Sequence, residues 1–199
     1  VLKRTMARFQ PGRDESLPPC TGGAVGFLGY DAVAQFERVP VREEDEIGNP
    51  DMVFLVTDAL VIFDRVRHSI RLVANAWVDG DPETAYCRAV DELEFLRRAL
   101  SGPLPRILLD AREPVEEPVP RSNTERGEYE QAVERAQEYI RAGDIIQAVL
   151  SQRFTLDNRA DSLDVYRALR SINPSPYMFC LDLGDSALVG ASPEVHVRC

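Results

Sequence analysis

A stretch dense in proline and charge, PLPRILLDAREPVEEPVPRSNTER, interrupts the chain between residues 103 and 126. Proline has no backbone N–H and a fixed φ, so such a stretch cannot donate a regular ladder of hydrogen bonds. We therefore predict a long connection near residues 103–123, which separates an N-terminal sheet part from a C-terminal part. At 199 residues, either one large domain or two small ones is possible.

The charge balance argues against a nucleic-acid partner. The chain carries 33 acidic and 23 basic residues, a formal net charge of -10, which repels phosphate backbones. No apolar run approaches the roughly 20 residues needed to cross a bilayer. The start, VLKRTMARF, lacks the apolar core of a signal peptide. We therefore expect a cytoplasmic protein that does not contact membranes.

Cysteine and histidine usage gives no sign of a metal site. The four cysteines are scattered without a CxxC pair, and the two histidines do not lie at a helical ligand spacing. We expect neither a zinc site nor structural disulfides.

The N-terminal part predicts strands followed by a helix. MVFLVTDALVIFDRV and SIRLVANAWV are rich in Val, Ile and Phe, with an RH turn before the second run, and predict an antiparallel pair. DGDPETAYCRAVDELEFLRRAL predicts a helix capped by Asp81, with Pro82 first and a buried stripe that includes Tyr86. The glycines of TGGAVGFLGYD are spaced too widely for a dinucleotide loop and predict close packing of a strand against a helix.

The C-terminal part mixes helices and strands. A helix closed by Gly143 is followed by DIIQAVLSQRFTL, predicted as a strand, and by the short helix SLDVYRALRSI. YMFCLDLGDSALVGAS predicts a hairpin that turns at Gly184-Asp185. Without strict βαβ alternation, the predicted class is α+β, with antiparallel sheets flanked by helices.

The polar residues of the C-terminal part allow more than one interpretation. In the strand predicted for DIIQAVLSQRFTL, Gln147 and Ser151 share one face, which is either a polar pocket or an exposed face. The composition of Asn173–Pro176 predicts a turn, whereas Tyr177 and Met178 are more typical of a core than of a ligand site. Glu194 follows a proline and is either a group that transfers a proton or a solvated glutamate.

Four stretches, in order along the chain, together resemble the chorismate-utilising enzymes: GGAVGFLGYD, YIRAGDIIQAVLSQRF, DVYRALRSINPSPYMF and LVGASPE. Within that family the resemblance is strongest to the anthranilate synthase component I branch. It implies a sandwich of two antiparallel sheets flanked by helices. It also implies that the chain corresponds to a central fragment of the family protein, an incomplete chorismate-binding unit over residues 1–199.

The resemblance also assigns catalytic roles. The glutamate of the Ser-Pro-Glu motif, Glu194 here, is implied to be the general acid for the departing C4 hydroxyl of chorismate. Relatives that add water have a lysine base where this chain has Gln147. Glutamine cannot titrate, and ammonia needs no base to become nucleophilic, so Gln147 favours an ammonia-using branch.

The loop NPSPYMF resembles the tryptophan inhibitor site of anthranilate synthase. The residues implied to line the pocket are Pro176, Tyr177 and Met178, with Asn173 and Pro174 shaping the loop. An apolar, polarizable wall suits an indole ring.

The implied reaction converts chorismate and ammonia to anthranilate and pyruvate in tryptophan biosynthesis. Ammonia would come from glutamine through a partner amidotransferase subunit, and Mg²⁺ would be held by ligands outside this chain. We therefore predict that residues 1–199 alone have no synthase activity. Two alternatives stay open: aminodeoxychorismate synthase component I of the folate pathway, and a non-catalytic module that binds tryptophan or the partner.

Overall fold

Strand pairing is antiparallel throughout the part of the chain that the computed structural model describes, which is residues 2–10, 12, 17–18, 20–41, 45–103 and 118–198. The chain divides into two units, residues 1–106 and 107–199. Most of the predicted proline-rich connection, residues 104–117, lies outside the described residues. The predicted α+β class with antiparallel sheets is confirmed.

The N-terminal unit contains two antiparallel strand pairs and a long helix. Its elements in chain order are helix α1 (Leu2–Met6), strand β1 (Gly23–Leu28), a short 3-10 helix (Tyr30–Gln35), strands β2 (Met52–Thr57), β3 (Ala59–Asp64) and β4 (Ser69–Ala74), and helix α2 (Pro82–Ser101). β1 pairs with β2, β3 pairs with β4, and α2 packs against β4 and β3. The pair predicted from the Val- and Ile-rich runs is therefore confirmed.

Among the described glycines of this unit, Gly26 leaves the least room for a side chain. A Cβ built at Gly26 would lie 1.9 Å from the carbonyl oxygen of Val53 on the neighbouring strand. The sequence predicted that these glycines allow a helix to pack closely against the strand. At Gly26 this is wrong, because the group packed against it is the backbone of strand β2. Strand pairing here requires glycine.

The chain segments around the strand ends are joined by Asn75. Its Nδ2 donates to the carbonyl of Thr21 at 2.8 Å and to that of Asp58 at 3.3 Å, and its backbone N–H donates to Asp58 O at 2.7 Å. Nearby, Trp77 Nε1 donates to Asp58 Oδ1 at 2.6 Å, and the Trp77 ring lies edge-on to Phe9 with centroids 4.7 Å apart. Four segments distant in sequence, around Phe9, Thr21, Asp58 and Asn75, are thus joined.

Helix α2 begins and ends as predicted. Asp81 Oδ2 accepts hydrogen bonds from the backbone N–H of Thr84 at 2.9 Å and from its Oγ1 at 2.6 Å, and Gly102 follows the last turn. These bonds hold the pKa of Asp81 below its ordinary value, with the Thr84 hydroxyl as the largest cause. The inner stripe differs from the prediction: Ala85 is buried, whereas Tyr86 is 66% exposed. The small alanine lets the helix approach the sheet closely.

The C-terminal unit contains two helices, a minimal strand pair and a regular hairpin. Its elements in chain order are strand β5 (Arg121–Ser122), helix α3 (Arg126–Ala142), strand β6 (Phe154–Thr155), helix α4 (Ser162–Ile172), and strands β7 (Tyr177–Asp182) and β8 (Ala187–Ser192). α3 ends at Gly143, whose φ of 84° lies in the left-handed region. α4 is capped by Asp161, whose Oδ1 accepts from Leu163 N at 2.8 Å, and packs against β8 and β7.

The predicted hairpin is confirmed, with β7 and β8 paired over their full length. Leu183 N donates to Ser186 O at 2.9 Å across the turn, and Gly184 has a φ of 92°. Glycine is suited to this conformation because an L side chain would be strained there.

The strand predicted for DIIQAVLSQRFTL is largely wrong. Only Phe154–Thr155 form a strand, and they pair with Arg121–Ser122. Residues 145–153 have no regular structure, although Leu150 O accepts from Tyr129 Oη at 3.3 Å. A strand needs a neighbouring strand for its backbone groups, and the strand ladder here extends over two residue pairs, Arg121 with Thr155 and Ser122 with Phe154.

Candidate functional site

Helix α4 and the β7–β8 hairpin position the loop that contains most of the predicted site residues. α4 ends at Ile172, and the N–H of Asn173 donates to Leu169 O at 2.8 Å to close its last turn. The loop then runs through Pro174–Pro176 and enters β7 at Tyr177. Both prolines disfavour a helical conformation in the residue before them, so the chain leaves the helix and becomes extended within four residues.

Within this loop, Ser175 makes the contacts that fix the backbone. Its half-buried hydroxyl accepts a hydrogen bond from Tyr177 N at 3.2 Å and donates one to the carbonyl oxygen of Ser192 at the end of β8. The sequence reasoning missed this residue. The signal was available, because a serine between two prolines is next to residues that cannot donate backbone hydrogen bonds.

Tyr177 and Met178 are the first two residues of β7, so their side chains point to opposite faces of the hairpin. Tyr177 is 47% exposed, whereas Met178 is half-buried and lies across from Ala191. A ligand that touches both side chains must therefore reach around the start of the strand, where Pro176 is also exposed.

Glu194 lies two residues beyond the end of β8. The carbonyl oxygen of Glu194 accepts a hydrogen bond from Ser192 Oγ at 3.1 Å, and its side chain is exposed. Because Tyr177 pairs with Ser192, the loop and Glu194 lie at the same end of the hairpin. The structure thus brings the predicted inhibitor loop and the predicted general acid close together.

Gln147 belongs neither to the β7–β8 hairpin nor to the loop before it. It is exposed and belongs to the stretch without regular structure, so the face it was predicted to share with Ser151 does not form. In the described part of the chain, no hydrogen bond or ion pair joins it to Glu194. Among the described residues, the structure therefore gives no hydrogen bond that joins Gln147 to another candidate residue.

The described residues do not fit a metal ion. Among them, no group of three or more His, Cys, Asp or Glu side chains is arranged to hold one. No helix in the same residues has the length and apolar character needed to cross a membrane.

The sequence model of a family described as chorismate binding enzyme matches residues 1–199. Two curated relatives are anthranilate synthase component 1 of Pseudomonas aeruginosa, 42% identical over 96% of this chain and 39% of its own length, and that of Acetivibrio thermocellus, 36% identical over 100% and 41%. The chain thus spans about two fifths of the length of these relatives.

The fold is also similar to that of a solved anthranilate synthase component I. The crystal structure of anthranilate synthase component I from Streptococcus pneumoniae superposes with a TM-score of 0.77 and 32% identity, and the match covers 97% of this chain and 43% of that one. Since the family model matches every residue from 1 to 199, this chain belongs to the chorismate binding enzyme family.

Proposed function

We propose that this chain is the central part of an anthranilate synthase component I, which converts chorismate and ammonia to anthranilate and pyruvate. The observation that carries the proposal is the meeting of the Asn173–Met178 loop and Glu194 at one end of the β7–β8 hairpin, in a chain of the chorismate binding enzyme family. The names of the relatives support the choice of branch.

In the proposed reaction Glu194 is the general acid. Loss of the C4 hydroxyl requires a proton on the leaving oxygen, and a carboxyl group within hydrogen-bond reach can deliver it as the C–O bond breaks. Glu194 is exposed, so its carboxyl group is accessible from outside the hairpin. Ammonia adds at C2 without a protein base, which is consistent with glutamine at position 147.

The proposal is tested in the complete gene product with chorismate and ammonium as substrates. We expect anthranilate fluorescence and release of pyruvate. Glu194→Gln should lower kcat by about 100-fold or more, because loss of a general acid commonly costs 10² to 10⁴ in rate. Asp185→Asn, which alters a carboxylate in the hairpin turn at the opposite end, is the matched control and should leave kcat unchanged.

Other products would redirect or reject the proposal. An aminated product that retains its enolpyruvyl group, with no free pyruvate, would favour aminodeoxychorismate synthase. Tryptophan binding in a calorimeter without any turnover of chorismate would favour a non-catalytic module. Formation of anthranilate by residues 1–199 alone would contradict the predicted inactivity of this part.

The choice of nucleophile can be tested at Gln147. We expect Gln147→Lys to reduce ammonia-dependent turnover and to favour addition of water at C2, because lysine can act as a base where glutamine cannot. Gln147→Met, similar in size and also unable to accept a proton from water, is the control and should give no hydroxylated product. Equal product ratios in all three proteins would remove the role proposed for this residue.

The proposed regulation and context follow the same assignment. Tryptophan would bind against Pro176, Tyr177 and Met178, with Asn173 and Pro174 shaping the loop, and Met178→Ala should raise the tryptophan concentration for half-inhibition. An amidotransferase subunit would supply ammonia from glutamine, Mg²⁺ would be bound by residues outside this chain, and the enzyme would be cytoplasmic. Unchanged inhibition in Met178→Ala would argue against this tryptophan site.

A further inference from the structure

The terminal residue pair of the β7–β8 hairpin is bound by a side chain from outside the ladder. Tyr177 and Ser192 are the last partners in register, and the Ser175 hydroxyl bonds both of them. It accepts from Tyr177 N at 3.2 Å and donates to the carbonyl oxygen of Ser192. One hydroxyl group therefore uses its donor and one acceptor site to join the loop to β8.

The flanking prolines make this hydroxyl hard to replace. Pro174 and Pro176 have no N–H, so neither can donate a backbone hydrogen bond to the Ser192 carbonyl in place of the Ser175 hydroxyl. Ser175 also precedes a proline, which holds its own backbone in an extended conformation. The side chain is half-buried, so water does not freely take its place.

The contact continues from β8 to Glu194. Ser192 Oγ donates to the carbonyl oxygen of Glu194 at 3.1 Å, and Pro193 fixes φ between them. A displacement of Ser192 would therefore change the position of the Glu194 backbone. The sequence of bonds runs from the loop through Ser175 to Ser192 and on to the Glu194 backbone.

We propose that Ser175 is a positioning residue that keeps the Pro174–Tyr177 loop in register with the Ser192–Glu194 turn, so that the two segments move together. Its meaning for catalysis and inhibition rests on the proposed function, in which the loop contacts tryptophan and Glu194 is the acid. Ser175 itself touches neither tryptophan nor chorismate in the proposed arrangement. It connects the two binding segments through its hydrogen bonds at the end of the β7–β8 hairpin.

The kinetic test compares Ser175→Ala, Ser175→Thr and Ser171→Ala in the complete gene product. Ser171 is the matched control, because its hydroxyl also donates to a backbone carbonyl, that of Arg167 at 3.2 Å, but within α4. We expect Ser175→Ala to lower kcat about tenfold and to raise the half-inhibitory tryptophan concentration about tenfold, with the KM for chorismate changed less than about twofold. Ser175→Thr, which keeps the hydroxyl, should recover most of both effects, and Ser171→Ala should show neither.

Hydrogen exchange separates this inference from the proposed function. In Ser175→Ala, amide exchange should accelerate in residues 173–178 and in residues 192–196 together, whether or not the protein makes anthranilate. If the wild type makes no anthranilate but both segments respond together, the proposed function fails and the linkage stands. Faster exchange in the loop alone, or a lower melting temperature with kcat and tryptophan inhibition unchanged, would overturn the inference.

Discussion

Asn75 in the N-terminal unit and Ser175 in the C-terminal unit both fix strand ends by donating to backbone carbonyls. The Asn75 amide reaches Thr21 and Asp58, and the Ser175 hydroxyl reaches Ser192. Asn75 lies among residues for which neither the sequence nor the structure indicates a role in chemistry, whereas Ser175 lies between the predicted inhibitor loop and Glu194. The same kind of bond therefore has a structural role in one unit and, we infer, a functional role in the other.

The largest effect on stability is expected at Gly26 in the N-terminal unit, and Gly190 in the C-terminal unit is its comparison. Gly26→Ala places a methyl group 1.9 Å from the backbone oxygen of Val53, so β1 and β2 must separate. We expect a loss of at least about 3 kcal/mol in the local opening free energy, measured by hydrogen exchange of β1 and β2. Gly190→Ala meets the ring of Phe179 at 2.2 Å, and a ring can rotate, so its loss should be nearer about 1 kcal/mol. Equal losses at the two positions would contradict this comparison.

Asn75→Ala should weaken the N-terminal unit without altering kinetics. It leaves the carbonyls of Thr21 and Asp58 without their side-chain donor, at a cost of about 1–3 kcal/mol in local stability. Asn75→Asp, of nearly the same size but without the donor, should lose as much. If Asn75→Ala changed kcat as much as Ser175→Ala, the assignment of a structural role to Asn75 and a functional role to Ser175 would be wrong.

Gly184→Ala should open the hairpin turn by a smaller amount. The residue has a φ of 92°, where an alanine costs roughly 1 kcal/mol. Gly143→Ala, at a φ of 84°, should cost a similar amount but loosen the end of α3 instead. Exchange rates of β7–β8 amides should rise in the first variant and stay at the wild-type value in the second.

The smallest effect concerns the cap of α2 and depends on pH. The pKa of Asp81 is below its ordinary value of 3.8, so the ionised cap stabilises the folded state above that value. This contribution is lost as the pH falls through the lower, folded-state pKa. Asp81→Asn keeps an acceptor oxygen but cannot titrate, so its stability relative to wild type should rise as the pH falls from neutral through 3.8 and below. An exchange difference that is independent of pH would contradict this prediction.

The two strands predicted in the C-terminal part show how far pattern reasoning reaches. YMFCLDLGDSALVGAS forms its hairpin because the second strand follows within a short turn that Gly184 can adopt. DIIQAVLSQRFTL has a similar apolar content, but only Phe154–Thr155 of it join a strand ladder, with Arg121–Ser122. Composition predicts the tendency to be extended, and pairing decides whether a strand forms.

The sequence alone determined the features that depend on local chemistry, such as helix caps and turns. Asp81 caps its helix, Gly143 and Gly184 adopt positive φ, and the motif stretches identify the family. Each of these depends on a residue and its near neighbours in the chain.

The tertiary structure decided what distant segments do together. Gly26 lies against the backbone of β2, and Ser175 bonds Ser192. The burial of Ala85 rather than Tyr86 likewise depends on which elements pack against α2. Side-chain spacing within one element does not specify the register of the element across from it. The loop and the glutamate at either end of the stretch from Asn173 to Glu194 come together only because β7 and β8 pair in one register, with Tyr177 opposite Ser192.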